Sequence, residues 1–501
     1  MKKLKTKLLD IEAGKPIVLL NREDATDMSL HIADRVRVGV RGKTQTAIVD
    51  ISDKFIKPGE VGIFDEIEKR LGLKRGNIVE VRVADRPESI DYIRKKMDGM
   101  KLTELELLSI IQDIVDDNLS SVEISAFVAA SYIRGYDMDE TAAMTRAMVA
   151  TGKQIDFGDH VVDKHCIGGV AGNRTTMLVV PIVAAAGLTI PKTSSRAITS
   201  AAGTADTMEV LANVEFKVNK IREIVKKTGG CIVWSGAVNL APADDKIIRV
   251  RYPMLLDPEG QLLASIMAKK KSIGSDYVVI DIPVGKGAKI SNKKDGNALA
   301  KKFIDLGKRI GIKVECLVTD GSEPIGRGIG PGLEARDVLL CLNNEGPQDL
   351  SEKACELAGV LFELSGKSKR GQGKKRAQRL LESGKAKKKM MEIIKAQGGN
   401  PKVTPEDIKI GKYTQVVIAA QNGNVHHIDN KLLSKVARAA GAPKDHQAGI
   451  YLHTSLGKTI EAGMPLFTIY ARDKEKLKDA VELTKRYNPV QVGGLTLEAL
   501  E

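Results

Sequence analysis

The sequence predicts an α/β protein with a separate all-α lobe, preceded by a small β-rich domain and followed by an α+β domain. Three observations predict it. Short alternating apolar runs punctuated by Gly and Pro turns fill residues 1–85. The hydrophobic period then becomes helical as far as about Gly152. Beyond that point apolar strands alternate with helical stretches, the pattern of a mixed or parallel sheet with helices on its faces.

In order, strands are expected over 5–11, 16–20, 35–40, 46–51 and 77–84, with one helix at 63–71 stopped by Gly72. Asp85-Arg86-Pro87 breaks the pattern. In the next helices Leu102, Leu105, Leu108, Ile111, Ile114 and Val115 share a face. Ser120 to Glu123 and Asp137 to Glu140 each fit a capping box, and Gly135 sits at a helix stop. Strands follow at 161–165, 189–192, 230–234, 276–282 and 313–318, and a helical stretch at 243–268 is expected to join the α lobe. Past Gly398-Gly399, strands at 413–420, 449–453 and 464–470 accompany helices at 431–440 and 474–486. The expected domains are 1–85 (β-rich), 86–155 with 243–272 (α lobe), 156–242 with 273–400 (α/β) and 401–501 (α+β).

Composition narrows the function. The 501 residues are 43% hydrophobic and 28% charged, and no 18-residue apolar run offers a membrane span. No apolar core follows the basic start, so a secretory signal is not expected. Five scattered cysteines without C-x-x-C spacing argue against a disulfide framework or structural zinc, and His426-His427 lacks companion ligands, so no metal is expected. A reducing cytoplasm fits. The net charge of +14 is concentrated: residues 367–389 hold eleven Lys/Arg against Glu382 alone, which is +10 of the total. That segment contains no aromatic residue for base stacking, so it reads as a solvated helix face and a nucleic-acid partner is not expected.

Two loops carry the chemistry. In 163–176, DKHCIGGVAGNRTT, a strand runs through glycines 168, 169 and 172 into an apolar helix. Such a turn lets backbone N–H groups and a helix start approach an anion, with Lys164 and the hydroxyls of Thr175 and Thr176 beside it. It has neither Walker A nor dinucleotide spacing. In 193–209, TSSRAITSAAGTADTME, another strand leads into a loop rich in hydroxyls with a single Arg, the donor set a phosphorylated sugar needs.

These loops resemble signatures of the thymidine/pyrimidine-nucleoside phosphorylase family, and the resemblance continues through 284–289 (VGKGAK), 320–334 (DGSEPIGRGIGPGLE) and 381–399, covering roughly 88–490. It implies an α lobe, an α/β lobe and a reaction in which inorganic phosphate, a co-substrate rather than a cofactor, displaces a base. Carried over by position, Lys164, Gly168, Thr176, Ser194 and Thr204 would bind phosphate, with Cys166 where the family usually has Ser. Ser265 and Lys269 would contact the base. Three features depart from the nucleoside-acting members: Cys166, Leu256-Asp257 in place of an Arg-Asp pair, and the N-terminal domain. All three resemble the archaeal branch that acts on nucleoside 5′-monophosphates, whose first domain is a double-psi-type barrel. That branch converts AMP and phosphate to adenine and ribose 1,5-bisphosphate and accepts CMP and UMP. The resemblance then implies AMP contacts from Gly169, Ser195, Arg196, Ala197, Ile198, Thr199, Ser200, Thr204, Ser265, Lys269 and Lys289.

Asp257 would be the catalytic proton donor to N7, desolvated by Leu255, Leu256 and Pro258, with Arg174 or Lys289 as further 5′-phosphate candidates. Homodimers or larger homo-oligomers, and no membrane partner, are expected. The alternatives are a thymidine or pyrimidine-nucleoside phosphorylase, against which Leu256 and residues 1–85 count, a phosphoribosyltransferase of anthranilate type, against which the lack of an acidic pair at a suitable loop position counts, and an RNA-binding protein.

Overall fold

In the computed structural model the described residues are 1–493; the rest of the expected C-terminal domain, 494–501, lies outside them. The chain divides into two units, Met1–Gly152 with Ala241–Ser265, and Lys153–Leu240 with Ile266 onward. The sequence reading had the helical lobe end at 155 and 272.

The first unit opens with six strands, β1 (Lys2–Leu8), β2 (Ile17–Leu20), β3 (Arg35–Val40), β4 (Lys43–Ile51), β5 (Glu60–Ile63) and β6 (Ile78–Val83). They close into a barrel of order β1-β5-β2-β4-β3-β6. The β1–β5 and β2–β4 pairs are parallel and the other pairings antiparallel. Closure pairs both edges of the sheet, and Leu4, Val18, Leu20, Val36, Val38, Val61 and Val81 fill the interior.

Two elements escaped the sequence reading. Strand β5 is four buried or half-buried residues, Glu-Val-Gly-Ile, with no period to detect. The helix Arg22–Asp27 is only six residues long, although Asn21 caps it by accepting from the Glu23 N–H at 3.0 Å.

The helices Ser89–Met97, Glu104–Val115, Ser121–Arg134 and Met138–Ala150 follow. Both expected capping boxes form, and Gly135 ends its helix. The expected stripe is corrected. Thr103 caps the second of these helices, and the face packed inward is Leu107, Ile110, Ile111 and Ile114, an i, i+3, i+4, i+7 stripe that leaves Leu105 78% exposed.

The stretch at 243–268 is not one helix but two, Pro242–Arg251 and Glu259–Ser272. Pro253 and Pro258 interrupt it, each lacking the N–H a helix needs, and Leu255 between them has φ 54°.

The second unit is built on parallel strands β7 (Val162–Cys166), β8 (Ile190–Ser194), β9 (Gly230–Trp234), β10 (Tyr277–Val284) and β11 (Lys313–Asp320). Strands β11, β10 and β7 pair in that order, as do β8 and β9, and a parallel bridge from Val161 to Thr189 links the two groups. The helix Thr175–Ala185, buried along nearly its whole length and apolar after Thr176, packs under them with Gln348–Leu364, around Leu178, Val179, Ile182, Leu357 and Phe362.

The C-terminal region adds antiparallel sheets around Val425, Leu433, Ile450, Phe467 and Ile469. There Gly423–Ile428 is a strand the sequence reading lacked, and His427 on it is buried.

Candidate active site

Strands β7 and β8 are parallel neighbours, so the loops that leave their C-terminal ends lie at one edge of the sheet, where open α/β sheets hold ligands. Arg174, in the first loop, donates to the carbonyl of Ala202 in the second at 2.5 Å. Its guanidinium also pairs with the buried Glu334 and donates to Asn173 O at 2.9 Å. Thr207 donates to the same Glu334 at 2.9 Å, so one carboxylate ties both loops. That use of Arg174 removes it from the 5′-phosphate candidates.

In the first loop Lys164 is 1% exposed, and its Nζ donates to Thr175 Oγ1 at 2.9 Å and lies 3.5 Å from Thr176 Oγ1. Burial pushes its pKa down. Cys166 behaves differently from a phosphate donor. Its sulfur accepts from Gly168 N–H and Asn173 Nδ2, each at 3.4 Å, and burial pushes the thiol up to about 11. The Gly168 N–H therefore turns back toward sulfur rather than outward.

Gly168 and Gly169 have φ 89° and 94°. At Gly169 a Cβ would stand 2.5 Å from Lys289 N, so glycine alone fits there. This places the Lys289 backbone against the loop, while its side chain is exposed.

In the second loop Ser194 ends β8. Its hydroxyl is buried and has no hydrogen-bond partner among the described residues. An orphaned buried hydroxyl costs about 1–3 kcal/mol unless something meets it.

Arg196, expected to hold substrate, instead binds Glu209 twice (2.6 and 2.7 Å), Glu215 at 2.9 Å and Asp206 at 3.3 Å, and lies over the Trp234 ring. Asp206 also accepts from the Ala197 and Gly203 N–H groups. The guanidinium is thus a clamp that shapes the loop. Ser195, Ile198, Thr199 and Ser200 remain exposed, Ala197 is half-buried, and Thr204 opens the short helix Thr204–Glu209.

Ser265 is buried and donates to Asp244 at 2.8 Å, and Lys269 is half-exposed on the same helix, Glu259–Ser272. Asp257 lies in the break before it. Its carboxylate is 37% exposed and pairs with Arg251, and Leu255 is 87% exposed, so the apolar enclosure expected around Asp257 does not form.

The sequence reading missed a buried charge cluster beneath the loops. Asp281 on β10 lies 3.2 Å from Lys353 and 4.0 Å from Lys164, and accepts from Thr319 at 2.7 Å. Although burial opposes it, those two lysines hold the Asp281 carboxyl below its usual range. Asp163 on β7 lies 2.6 Å from Lys270 and 3.6 Å from Lys192. Four buried lysines share two buried aspartates. The signal was present in part: Asp281 sits inside the apolar run VVIDIPV, where a charge needs a reason, and Asp163 directly follows the apolar pair Val161-Val162.

Residues 90–152 match a family described as "Glycosyl transferase family, helical bundle domain", residues 158–387 match "Glycosyl transferase family, a/b domain", and residues 424–490 match "Pyrimidine nucleoside phosphorylase C-terminal domain". A solved anthranilate phosphoribosyltransferase from Thermus thermophilus superposes with TM-score 0.53 at 19% identity, covering 61% of this chain and 99% of its own, a likeness of fold. Fold and site together define a glycosyl transferase of the phosphorylase type.

AMP phosphorylases from Methanothrix thermoacetophila, Thermococcus kodakarensis and Pyrococcus furiosus are each 49% identical to the chain. The alignments cover 98%, 99% and 99% of this chain and 96%, 99% and 99% of those proteins. The chain belongs to the AMP phosphorylase family.

Proposed function

We propose that the protein catalyses phosphorolysis of AMP, giving adenine and ribose 1,5-bisphosphate, with CMP and UMP as further substrates. The observation that carries this is the imbalance of four buried lysines over two buried aspartates below a glycine- and hydroxyl-rich edge. Buried cations without full counter-charge are costly, and a bound phosphate dianion supplies that charge.

Phosphate is held by Lys164, Thr176, Ser194 and Thr204, and one of its oxygens attacks C1′ of the ribose. The C1′–O bond forms as the glycosidic C1′–N bond breaks, and the bonding pair leaves on the base. The dianion stabilises the positive charge that develops on the sugar. Asp257, released from the pair it makes with Arg251, takes up a proton from water and delivers it to N7, neutralising the leaving base. Cys166 shapes the loop through its contacts with Gly168 and Asn173 rather than binding phosphate. The exposed hydroxyls of Ser195, Thr199 and Ser200 take the 5′-phosphate and ribose, aided by the side chain of Lys289. Ser265 and Lys269 serve the base.

The domain limits inferred from sequence, a cytoplasmic location and a barrel of double-psi type belong to the same reading; two parallel pairings in a six-stranded barrel support the last. Homo-oligomers are supported by Leu105, Val122 and Ile133, exposed apolar residues on helices of the α lobe.

The test is phosphate-dependent release of free base from AMP, CMP, UMP and adenosine. AMP is the good substrate and adenosine the poor one. Equal efficiency for the two refutes a dedicated 5′-phosphate site, and no release from any of them refutes the activity.

A further inference from the structure

We propose that Asp163 is a positioning residue, which through two buried lysines keeps three substrate-binding segments in register. The proposal rests on the phosphorolysis reading above and adds to it a part that touches no substrate. Asp163 is fully buried. One carboxylate oxygen accepts from Lys270 Nζ at 2.6 Å. The other accepts from the Lys164 N–H at 2.7 Å and lies 3.6 Å from Lys192 Nζ. These contacts reach strand β7, strand β8 and the helix Glu259–Ser272.

Each of the three sits next to a residue assigned to substrate. Asp163 precedes Lys164, Lys192 is two residues before Ser194, and Lys270 follows Lys269. A buried ion pair adds little stability over apolar packing of the same volume, and its best-attested use is to fix one register among several. Here a single carboxylate is common to all three segments, so a shift of any one strains the other two. A misplacement of about 1 Å at reacting groups is enough to cost about 10²-fold in rate.

The charge state of Lys192 reports on the cluster. It faces Asp163, Lys164 and His165 of β7, Lys270 of the helix and Cys231 of β9, and it donates to its neighbour Thr193 O. Burial, with Lys270 and Lys164 nearby, brings Lys192 down to about 7, and Asp163 is the group that holds it up.

The test uses the full-length protein with Asp163→Asn and, separately, Lys192→Met. Sulfate is the probe for the phosphate site, because it stays a dianion across pH 5–9 and so does not titrate alongside the protein. The readouts are kcat and KM for AMP phosphorolysis, and sulfate binding by calorimetry as a function of pH. In the wild type, sulfate affinity is expected to fall as pH rises through about 7, by at most tenfold per pH unit for one linked proton. In Asp163→Asn the midpoint moves to lower pH, and kcat over KM for phosphate falls about 10²-fold. In Lys192→Met the profile is flat through this range.

A folded Asp163→Asn with wild-type kinetics and an unmoved sulfate midpoint overturns the proposal. If Asp163→Asn does not fold, Lys192→Met decides, and an unchanged sulfate profile in that variant overturns the proposal equally. A wild type that releases no adenine from AMP refutes the phosphorolysis reading instead, while sulfate binding still tests the cluster.

Discussion

Replacing Ser194 by alanine separates the cost of a site from the benefit of its ligand. The Ser194 hydroxyl is buried at the end of β8 with no partner among the described residues, so folding strips it of water and returns nothing. A buried unmet hydroxyl costs about 1–3 kcal/mol. Ser194→Ala removes that cost and leaves a gap smaller than a methyl group, so in phosphate-free buffer the variant should be as stable as the wild type or more so. Binding should respond in the opposite direction. A hydrogen bond to a charged group is worth about 1.5–3 kcal/mol, which at 1.4 kcal/mol per decade raises the KM for phosphate about ten- to a hundredfold. The assay pairs thermal unfolding without phosphate with initial rates of adenine release at varied phosphate. A variant that is less stable yet keeps a wild-type KM refutes the reasoning, since the hydroxyl would then serve the fold and not the anion.

Four further outcomes are expected. Asp257→Asn should lower kcat for AMP by about 10²–10⁴-fold, the usual contribution of a positioned acid, and near-wild-type turnover rejects that assignment. Arg196→Lys should not rescue Arg196→Ala, because an ammonium cannot reproduce the paired contacts with Glu209 and the added contact with Glu215; limited proteolysis within 195–203 should be faster in both variants. Burial raises Asp337 to about 6, so the folded chain holds that proton more tightly than the unfolded one. The stability this brings is complete below the unfolded value of 3.8 and is lost as pH rises through about 6, a decline in the unfolding midpoint that Asp337→Asn should flatten. Phe362→Ala, which empties a fully buried position in the core of the second unit, should cost about 3–5 kcal/mol in denaturant unfolding.

The sequence by itself determined the features that neighbouring residues decide. Capping boxes at Ser120 and Asp137, the helix stop at Gly135 and the strands over 35–40 and 230–234 depend on residues a few positions apart, and each forms where expected. The two glycine- and hydroxyl-rich loops were legible for the same reason, because a strand, several glycines and a run of hydroxyls are local signals. Tertiary structure decided how the charges are spent. Nothing in TSSRAITSAAGTADTME says that Arg196 will be consumed by Glu215, nor does DKHCIGGVAGNRTT say that Arg174 will be buried against Glu334, 160 residues away. Strand β5 pairs with β1 and β2 to close the barrel, and packing chose which apolar stripe of the helix Glu104–Val115 is buried, the one through Leu107, Ile110, Ile111 and Ile114 rather than the one through Leu105. The two aspartates that hold four lysines lie 118 residues apart in sequence and on neighbouring strands in space. Coulombic and desolvation energies follow spatial distance and burial, and only folding sets those.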